Sequence, residues 1–368
     1  MSSSEKRNGR LVIHMVKRDT ISRPKEWGIR LIAVALSLVV CAIVIYLITR
    51  QNPIEVYSGI INGAIGTSRR TWVTVRESVL LLLIAVGLVP AYRMRFWNIG
   101  AEGQILMGGA ASAAVMIYLG DKMPSGASLI LILVLSMIAG MIWGLIPAIF
   151  KARFNTNETL FTLMMNYTAM QLITYFIVYW ENPKGSNTVG VINQATKAGW
   201  FPKVFGFQYF LNVLIVAVVT VLMTVYMRYT KQGYELAVVG ESANTARYAG
   251  INVRKVIIRT MMISGAICGL AGAVIVSGAS HTISTSTAGG RGFTAIIVAW
   301  MSKFNPVTMI IVSVFLVFMQ QGSIQIATQF GLNENASDII TGILLFFLIG
   351  CEFFVNYSLE IYREGKEG

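Results

Sequence analysis

Glu102 is the side chain whose setting in this sequence most favours a functional role. It lies at the start of a long apolar run, within Asn98-Ile-Gly-Ala-Glu-Gly-Gln104. An ionisable group in such a run is costly to bury, so its presence indicates a binding site, an ion pair or a break in a helix. A structural interpretation is also sufficient, because Asn98 can cap the helix that begins there and the helix dipole stabilises Glu102. Asn98, Glu102 and Gln104 are therefore candidates both for a polar pathway and for helix capping.

A second set of polar side chains lies in the apolar run at 160–180. Asn166 and Gln171 are amides, and amides inside an apolar helix most often bond to a neighbouring helix. If they line a cavity instead, amides suit hydroxyl groups and the polar edge of a ring, and an aromatic side chain such as Phe293 would stack on that ring. Both interpretations are kept for Asn166, Gln171 and Phe293.

Several patterns associated with catalysis are missing from the sequence. Gly289-Gly-Arg-Gly292 is rich in glycine, but no GxxxxGK[ST] phosphate loop occurs anywhere. His281 lies among serines and threonines without a nucleophile or carboxylate at a suitable spacing, which predicts a solvated histidine. Cys41, Cys268 and Cys351 fall in apolar runs without metal-ligand spacing, which predicts small packing residues. The chain is therefore predicted not to be an enzyme and to bind no cofactor or metal itself.

The composition of the chain indicates a membrane protein. Hydrophobic residues make up 55% of the chain and charged residues 13%, and the mean hydropathy is +0.64, which is far from the balance of a soluble domain. The formal net charge is +13, but the basic residues lie in short segments between apolar runs, where membrane topology explains them better than nucleic-acid binding. The sequence therefore predicts an all-α polytopic membrane protein that contacts lipid and no nucleic acid.

Ten apolar runs are predicted to cross the membrane, because a hydrocarbon core of roughly 30 Å requires about 20 helical residues. The run at 293–301 is too short to span alone, so it either continues within protein or re-enters. Of the 30 lysines and arginines, 21 fall on the side of the N-terminus and nine on the other, which predicts that both termini are cytoplasmic. The ten runs are 31–49, 72–92, 99–119, 127–150, 160–180, 207–227, 256–277, 293–301, 307–327 and 339–355.

These runs define a membrane domain at 31–357, preceded by a basic cytoplasmic segment at 1–30 and followed by a cytoplasmic tail at 358–368. The external segment 53–65 is predicted as an amphipathic helix that lies on the surface. Gly265, Gly269, Ala271 and Gly272 predict close helix packing in the run at 256–277.

The polar segment 228–259 separates two of the runs and is predicted to hold a short helix. Ser242 can cap such a helix and Gly250 can end it in the left-handed conformation. Ala243, Ala246, Arg247 and Gly250 recur at i, i+3, i+4 and i+7, so one face is nearly bare of side chains and is expected to let a partner surface approach. The alternative is an amphipathic helix that rests on the membrane surface.

The residues of this segment carry a resemblance to a known family. GYELAVVGESANTARYAGINVRKVIIRTMMISGAICGLAGAVIVSG, which begins at Gly233, resembles the cytoplasmic coupling loop and following span of ABC importer permeases of the branched-chain amino acid and simple-sugar superfamily. FWNIGAEGQ at 96–104 and GFTAIIVA at 292–299 resemble signatures of its nucleoside branch, whose binding protein is a lipoprotein of the basic-membrane-protein type. The likeness covers roughly 71–357.

The resemblance implies a type II-like importer permease in the plasma membrane of a prokaryote. ATP and Mg would be bound by a separate cytoplasmic ABC ATPase, and an extracellular substrate-binding lipoprotein would deliver a nucleoside, whose ribose and base suit the amides and ring named above. A second permease chain is implied, commonly an unlike one, and the choice between a copy and a different chain stays open. The residues implied in coupling to the ATPase are Glu241, Ser242, Ala243, Asn244, Thr245, Ala246, Arg247, Tyr248 and Gly250.

Alternatives to nucleoside import also stay open. Other branches of the superfamily would carry ribose, other simple sugars or branched-chain amino acids. A transporter of a different class, the ion-coupled secondary carrier, usually relies on intramembrane carboxylates, and the sequence offers Glu102 as a single candidate with no buried aspartate. Transport by the purified chain without ATP or partners would distinguish a carrier from an importer subunit.

Overall fold

The computed structural model describes residues 11–18, 22–50, 52–331 and 334–363. Within these ranges the chain is helical almost throughout, with one pair of short strands. A 3₁₀ turn at Gly120–Lys122 follows the fourth helix, and a π-helical turn at Val276–Ser280 follows the tenth. The elements are β1 (Leu11–Lys17), α1 (Arg23–Thr49), α2 (Pro53–Ile65), α3 (Ser68–Arg93), α4 (Ala101–Leu119), α5 (Ser125–Phe154), α6 (Glu158–Trp180), α7 (Phe210–Tyr229), α8 (Lys231–Glu241), α9 (Ala243–Tyr248), α10 (Val253–Ile275), α11 (Arg291–Met301), α12 (Pro306–Gln329), α13 (Glu334–Asn356) and β2 (Tyr357–Arg363).

Eight of the described helices, namely α1, α3, α4, α5, α6, α7, α10 and α12, are long and apolar enough to cross a membrane. They coincide with eight of the ten predicted runs, and the predicted all-α polytopic class is confirmed. The other two runs fall on α11, which has 11 residues, and on α13, whose apolar stretch is Leu345–Asn356. The total of ten crossings stays a prediction.

The chain divides into two compact units, Met1–Gly66 with Met319–Gly368, and Thr67–Phe318. In the first unit α1 packs along α13, and Arg30 forms ion pairs with Glu26 at 3.1 Å and with Glu352 at 2.7 Å. The predicted helix at 53–65 is confirmed as α2. Its apolar face is buried against protein, because a Cβ added at Gly63 would lie 2.4 Å from Cβ of Gln325 in α12.

The two strands of the first unit pair in antiparallel register, from Leu11 opposite Arg363 to Lys17 opposite Tyr357. Both segments contain β-branched residues or tyrosine, which favour strands, but they lie in terminal segments for which the sequence predicts no structure. The pairing brings the segment before α1 together with the segment after α13. Residues 1–10, 19–21 and 364–368 of the predicted terminal segments lie outside the described ranges.

In the second unit α10 is the central helix and packs against α3, α4 and α5. A Cβ added at Gly269 would lie 2.2 Å from the carbonyl oxygen of Ser136 in α5, and one at Gly272 would lie 2.2 Å from that of Ile105 in α4. Larger side chains would force these helices apart. The predicted packing role of the small residues in this helix is confirmed.

Candidate functional site

The start of α4 holds a cluster of buried amides that hydrogen-bond to one another. Asn98 is fully buried, and its Oδ1 accepts from the backbone N–H of Gly100 at 3.0 Å and from Nε2 of Gln104 at 3.4 Å. Its Nδ2 donates to Oγ of Ser264 in α10 at 3.4 Å. The expectation that Asn98 is the N-cap of this helix is wrong by two residues, because the N-cap is Gly100, which has no cap from a side chain. Asn98 instead accepts a hydrogen bond from the backbone N–H of the N-cap residue, Gly100, and its bond to Ser264 connects the start of α4 to α10.

Asn166 joins the same region to α6. Its Nδ2 donates to the carbonyl oxygen of Ile99 at 2.9 Å, and its Oδ1 accepts from the N–H of Gly103 at 2.9 Å. Thr162, one turn earlier, accepts from the N–H of Ile99 at 3.2 Å. The interpretation that Asn166 bonds to a neighbouring helix is confirmed. Gln171 does not join this cluster, because its side chain is exposed farther along α6.

Glu102 is buried and lies at the N-terminus of α11. Its Oε1 accepts from the N–H of Gly292 at 2.7 Å, where the free N–H groups and the dipole of the short helix favour an anion. The contact requires glycine, because a Cβ at Gly292 would lie 2.9 Å from the backbone nitrogen of Glu102. The carboxylate therefore holds the first turn of α11 against the first turn of α4. Phe293, the next residue of α11, is exposed.

A second buried carboxylate, Glu77 in α3, was not singled out from the sequence. Its Oε2 pairs with Nη2 of Arg291 at 2.8 Å, and its Oε1 pairs with Nη2 of Arg76 at 2.6 Å. The guanidinium of Arg76 also lies over the ring of Tyr209, 5.0 Å from its centroid. The expectation of a single intramembrane carboxylate is therefore wrong. Since two arginines neutralise Glu77, it acts as an anchor for the start of α11.

Taken together, the amides and carboxylates position α4, α6 and α11. Asn98, Glu102, Gln104 and Asn166 are each at most 2% exposed, and groups of the protein itself occupy their hydrogen-bonding atoms. This occupancy favours the structural interpretation of these four residues. Gln171 and Phe293 are the two predicted pathway residues with accessible side chains. In the described part of the chain, no group of three or more His, Cys, Asp or Glu side chains could hold a metal ion.

The predicted short helix at the polar segment is α9. Oγ of Ser242 accepts from the N–H of Thr245 at 3.2 Å, and Gly250 has a φ of 75°, so both predicted ends are confirmed. The helix is preceded directly by α8, which the sequence does not predict. An ion pair between Arg259 of α10 and Glu235 of α8, at 3.1 Å, connects the helices on either side of α9.

One of the residues that were expected to face a partner, Ala246, is buried instead, whereas Ala243, Arg247 and Gly250 are exposed as expected. Ala246 is fully buried, in an apolar cluster with Met94, Phe96 and Leu236 among others. Burial of apolar surface is what directs this face of the helix inward. The accessible residues of the segment are instead Glu241, Ala243, Asn244, Thr245, Arg247, Tyr248 and Gly250.

A cleft of about 520 Å³ adjoins this accessible face, and Ala243 and Arg247 of α9 form part of its lining. Four arginines line it, and none of their side chains has an ion pair or hydrogen bond within the described part of the chain. The carboxylate of the lining, Glu158, is already paired with Lys151 at 2.8 Å. We call this surface the arginine cleft; its arginines are Arg95, Arg153, Arg247 and Arg254. Its uncompensated positive charge is suited to an acidic partner.

At the opposite end of the second unit, the long connection between α6 and α7 is attached to the end of α10. The N–H of Ile192 donates to the carbonyl oxygen of His281 at 2.8 Å, and the imidazole stacks on Trp200 with centroids 3.7 Å apart. The expectation of a solvated histidine is wrong, because the ring is half-buried against Trp200. This burial lowers the pKa of His281 to about 4. Glu181, at the start of the connection, is exposed, and N–H groups of Gly185 and Asn187 lower the pKa of its carboxyl.

The chain is similar in sequence to several ABC transporter permease proteins. Guanosine ABC transporter permease protein NupP of Bacillus subtilis is 29% identical over 331 residues, which cover 89% of this chain and 94% of NupP. Glucose ABC transporter permease protein TsgB13 of Haloferax volcanii is 29% identical over 299 residues, or 77% of each chain. Nucleoside ABC transporter permease protein NupB of Lactococcus lactis is 26% identical over 339 residues, which cover 89% of this chain and 92% of NupB.

No solved structure matches the chain. The family described as the permease component of the branched-chain amino acid transport system matches residues 72–349. That match covers most of the chain and includes both the buried cluster at α4 and the segment with α9. This protein is therefore a multi-pass membrane protein that belongs to the family of permease components of the branched-chain amino acid transport system.

Proposed function

We propose that this chain is the permease subunit of a binding-protein-dependent ABC importer that takes up nucleosides. The observation that carries the proposal is α9, a capped helix with one buried face and one accessible face beside the arginine cleft. A separate cytoplasmic ATPase docks on that accessible face and binds ATP and Mg. A second permease chain completes the pathway, and an extracellular lipoprotein delivers the substrate.

The packing of α9 supports its role as the coupling element. Its buried face contacts the apolar cluster that includes Val256 and Met261 of α10, and α10 packs against α3, α4 and α5. A displacement of α9 by the ATPase therefore acts on the central helix of the unit. Coupling requires that the ATPase bind α9 with different affinity in its two states, because equal affinity shifts no equilibrium.

The nucleoside assignment is supported by the names of NupP and NupB, which align over 89% of this chain. A sugar is the second candidate, because the glucose permease protein TsgB13 is as similar in identity as NupP over a shorter alignment. Both substrates present hydroxyl groups to amides, but only a nucleoside presents an aromatic base for stacking on a ring such as Phe293.

Uptake in proteoliposomes tests the proposal. Vesicles that contain this chain, its second permease, the ATPase and the lipoprotein should accumulate labelled guanosine when ATP is present inside them with the ATPase. The chain alone, or the complex without ATP, should accumulate none. Competition distinguishes the substrates, since unlabelled adenosine should reduce the signal and glucose or ribose should not. Uptake by the chain alone would indicate a secondary carrier, and competition by glucose alone would indicate a sugar importer.

A further inference from the structure

A second cleft lies between α3, α7 and the turn that joins α11 to α12, and it shares no lining residue with the arginine cleft. It has a volume of about 170 Å³. We call it the α3–α7–α12 cleft. Its lining residues divide into an apolar wall and a polar mouth. The wall is formed by Val86, Val89, Met223, Met227, Phe304 and Met309, and the mouth carries Arg93, Arg228 and Lys303.

The three basic residues lie where membrane helices end. Arg93 is the last residue of α3, Arg228 is the residue before the last of α7, and Lys303 lies in the turn between α11 and α12. All three side chains are exposed, and no carboxylate lines the cleft. The α8 segment begins three residues after Arg228, so this end of the unit is the end that carries α9. The mouth therefore lies at the depth of lipid headgroups.

Met227 and Phe304 of the apolar wall adjoin the basic residues in sequence, and the other wall residues lie about one turn or more farther along the helices. Val89 precedes Arg93 by four residues on α3, and Met223 precedes Arg228 by five on α7. Met309, one turn into α12, is fully buried. Lys303 and Phe304 both have positive φ, of 47° and 59°, a conformation that non-glycine residues adopt at a cost and mostly in tight turns. That turn directs Lys303 to the mouth and Phe304 to the wall.

We propose that the α3–α7–α12 cleft binds one anionic phospholipid, with its phosphate on Arg93, Arg228 and Lys303 and the start of an acyl chain on the valine and methionine wall. The polarity of the lining matches an anionic phospholipid. The basic mouth is suited to the negatively charged headgroup, and the apolar wall is suited to the acyl chain that follows it. Basic pockets between membrane helices at the headgroup level are suited to anionic headgroups. A free phosphate would use the mouth and leave the wall unfilled, which favours the lipid as occupant.

Retention of lipid by the purified chain tests this site. The wild type should retain phosphatidylglycerol in preference to phosphatidylcholine when both are supplied in mixed micelles and bound lipid is measured by native mass spectrometry. Each arginine removed should weaken retention about fivefold, so Arg93→Gln with Arg228→Gln should reduce it more than tenfold. The matched control is Lys231→Gln with Lys255→Gln, which removes the same charge from exposed positions at the same end, outside both clefts, and should leave retention unchanged.

The wall is tested separately with Thr224→Phe, which fills the cleft and keeps all three basic residues. Thr224 is half-buried in the lining of the cleft, and the variant should lose phosphatidylglycerol while its thermal unfolding in detergent stays like that of the wild type. Glycerol phosphate, which has no acyl chain, should not displace the lipid. Equal displacement by glycerol phosphate would overturn the proposal in favour of a simple anion site. Loss of co-purifying permease or ATPase, with lipid retention unchanged, would also overturn it, because the cleft would then bind protein.

Discussion

The buried cluster at α4 and the arginine cleft at α9 are both rich in polar groups, but the two regions differ in whether the protein itself supplies the hydrogen-bond and ion-pair partners of those groups. In the buried cluster the amides and carboxylates bond to groups of the protein itself, as Glu102 does with the N–H of Gly292. In the arginine cleft, four guanidinium groups have no partner within the described ranges. A buried polar group needs a hydrogen-bond partner from the protein, because its loss of water is costly. An exposed charge remains solvated and can therefore stay unpaired until a ligand binds. The difference separates residues that position helices from residues that receive a partner.

The largest effect is expected from Ala246→Trp, which tests whether α9 has one buried face. Ala246 is fully buried against the apolar cluster, and an indole at this site should lower the free energy of unfolding by about 3 kcal/mol or more. Thermal unfolding in detergent measures the loss. The control is Ala249→Trp, at an exposed position after α9, which should leave stability unchanged. Equal stability of both variants would mean that α9 does not pack on this cluster.

Glu102→Ala should have the next largest effect, because it leaves the N–H of Gly292 buried without an acceptor. The expected loss of stability is about 1–3 kcal/mol, with a parallel loss of uptake as α11 loses its contact with α4. Glu102→Gln keeps an acceptor oxygen and should lose less than half as much. If Glu102→Ala abolished uptake at unchanged stability, Glu102 would line the pathway and the contrast between the two regions would fail.

Reversal of charge in the arginine cleft should act on binding and leave stability intact. Arg247→Glu with Arg254→Glu should weaken binding of the ATPase about tenfold at low salt, because the side chains are exposed and a repulsive pair replaces an attractive one. The affinity of the variant for the ATPase should also depend less on salt concentration than the affinity of the wild type does. Lys197→Glu with Lys203→Glu, at exposed positions on the other end of the unit, provides the control. An unchanged affinity would remove the arginine cleft from the docking surface.

The smallest effect concerns His281, whose half-buried imidazole stacks on the indole of Trp200. Its pKa is about 4 in the folded chain, against 6.5 as its ordinary value, chiefly through burial and with a contribution from the nearby Arg76. The unfolded chain therefore binds more protons between these values, so the contribution of His281 is complete above pH 6.5 and is lost as pH falls towards 4.

The unfolding temperature should consequently fall by a few degrees between pH 7 and pH 4.5 through this residue. His281→Phe keeps the stacking on Trp200 and should remove that part of the pH dependence. A variant with the same pH profile as the wild type would show that another group titrates in this range.

Much of this architecture could be predicted from patterns that involve only a few neighbouring residues. The apolar runs predicted eight helices that are long enough to span a membrane, and Ser242 and Gly250 predicted both ends of α9. The glycines of α10 predicted close packing because their effect depends on size alone. In each case the physical cause acts within one or two helical turns.

Contacts between distant parts of the chain were not predicted. Glu77 pairs with Arg291 across 214 residues, and no periodicity in either segment indicates that the two meet. Ala246 was predicted to face a partner, but a helical surface of small residues can pack equally well against the core of its own chain. Only the tertiary packing determines which of the two it contacts. His281 was called solvated for the same reason, since the indole of Trp200 that covers it comes from a different connection.

The first compact unit has a consequence for the synthesis of the chain. Arg30 and Glu352, which form an ion pair within it, are 322 residues apart, and β1 pairs with the strand that follows the last helix. At about 5–20 residues per second, the ribosome makes the second partner roughly 15–65 s after the first. The second unit lies entirely between them in the sequence, so it can fold while α1 still lacks α13. The contact between α1 and α13 is therefore the last to form, and loss of the final residues would leave α1 in contact with α2 but without α13.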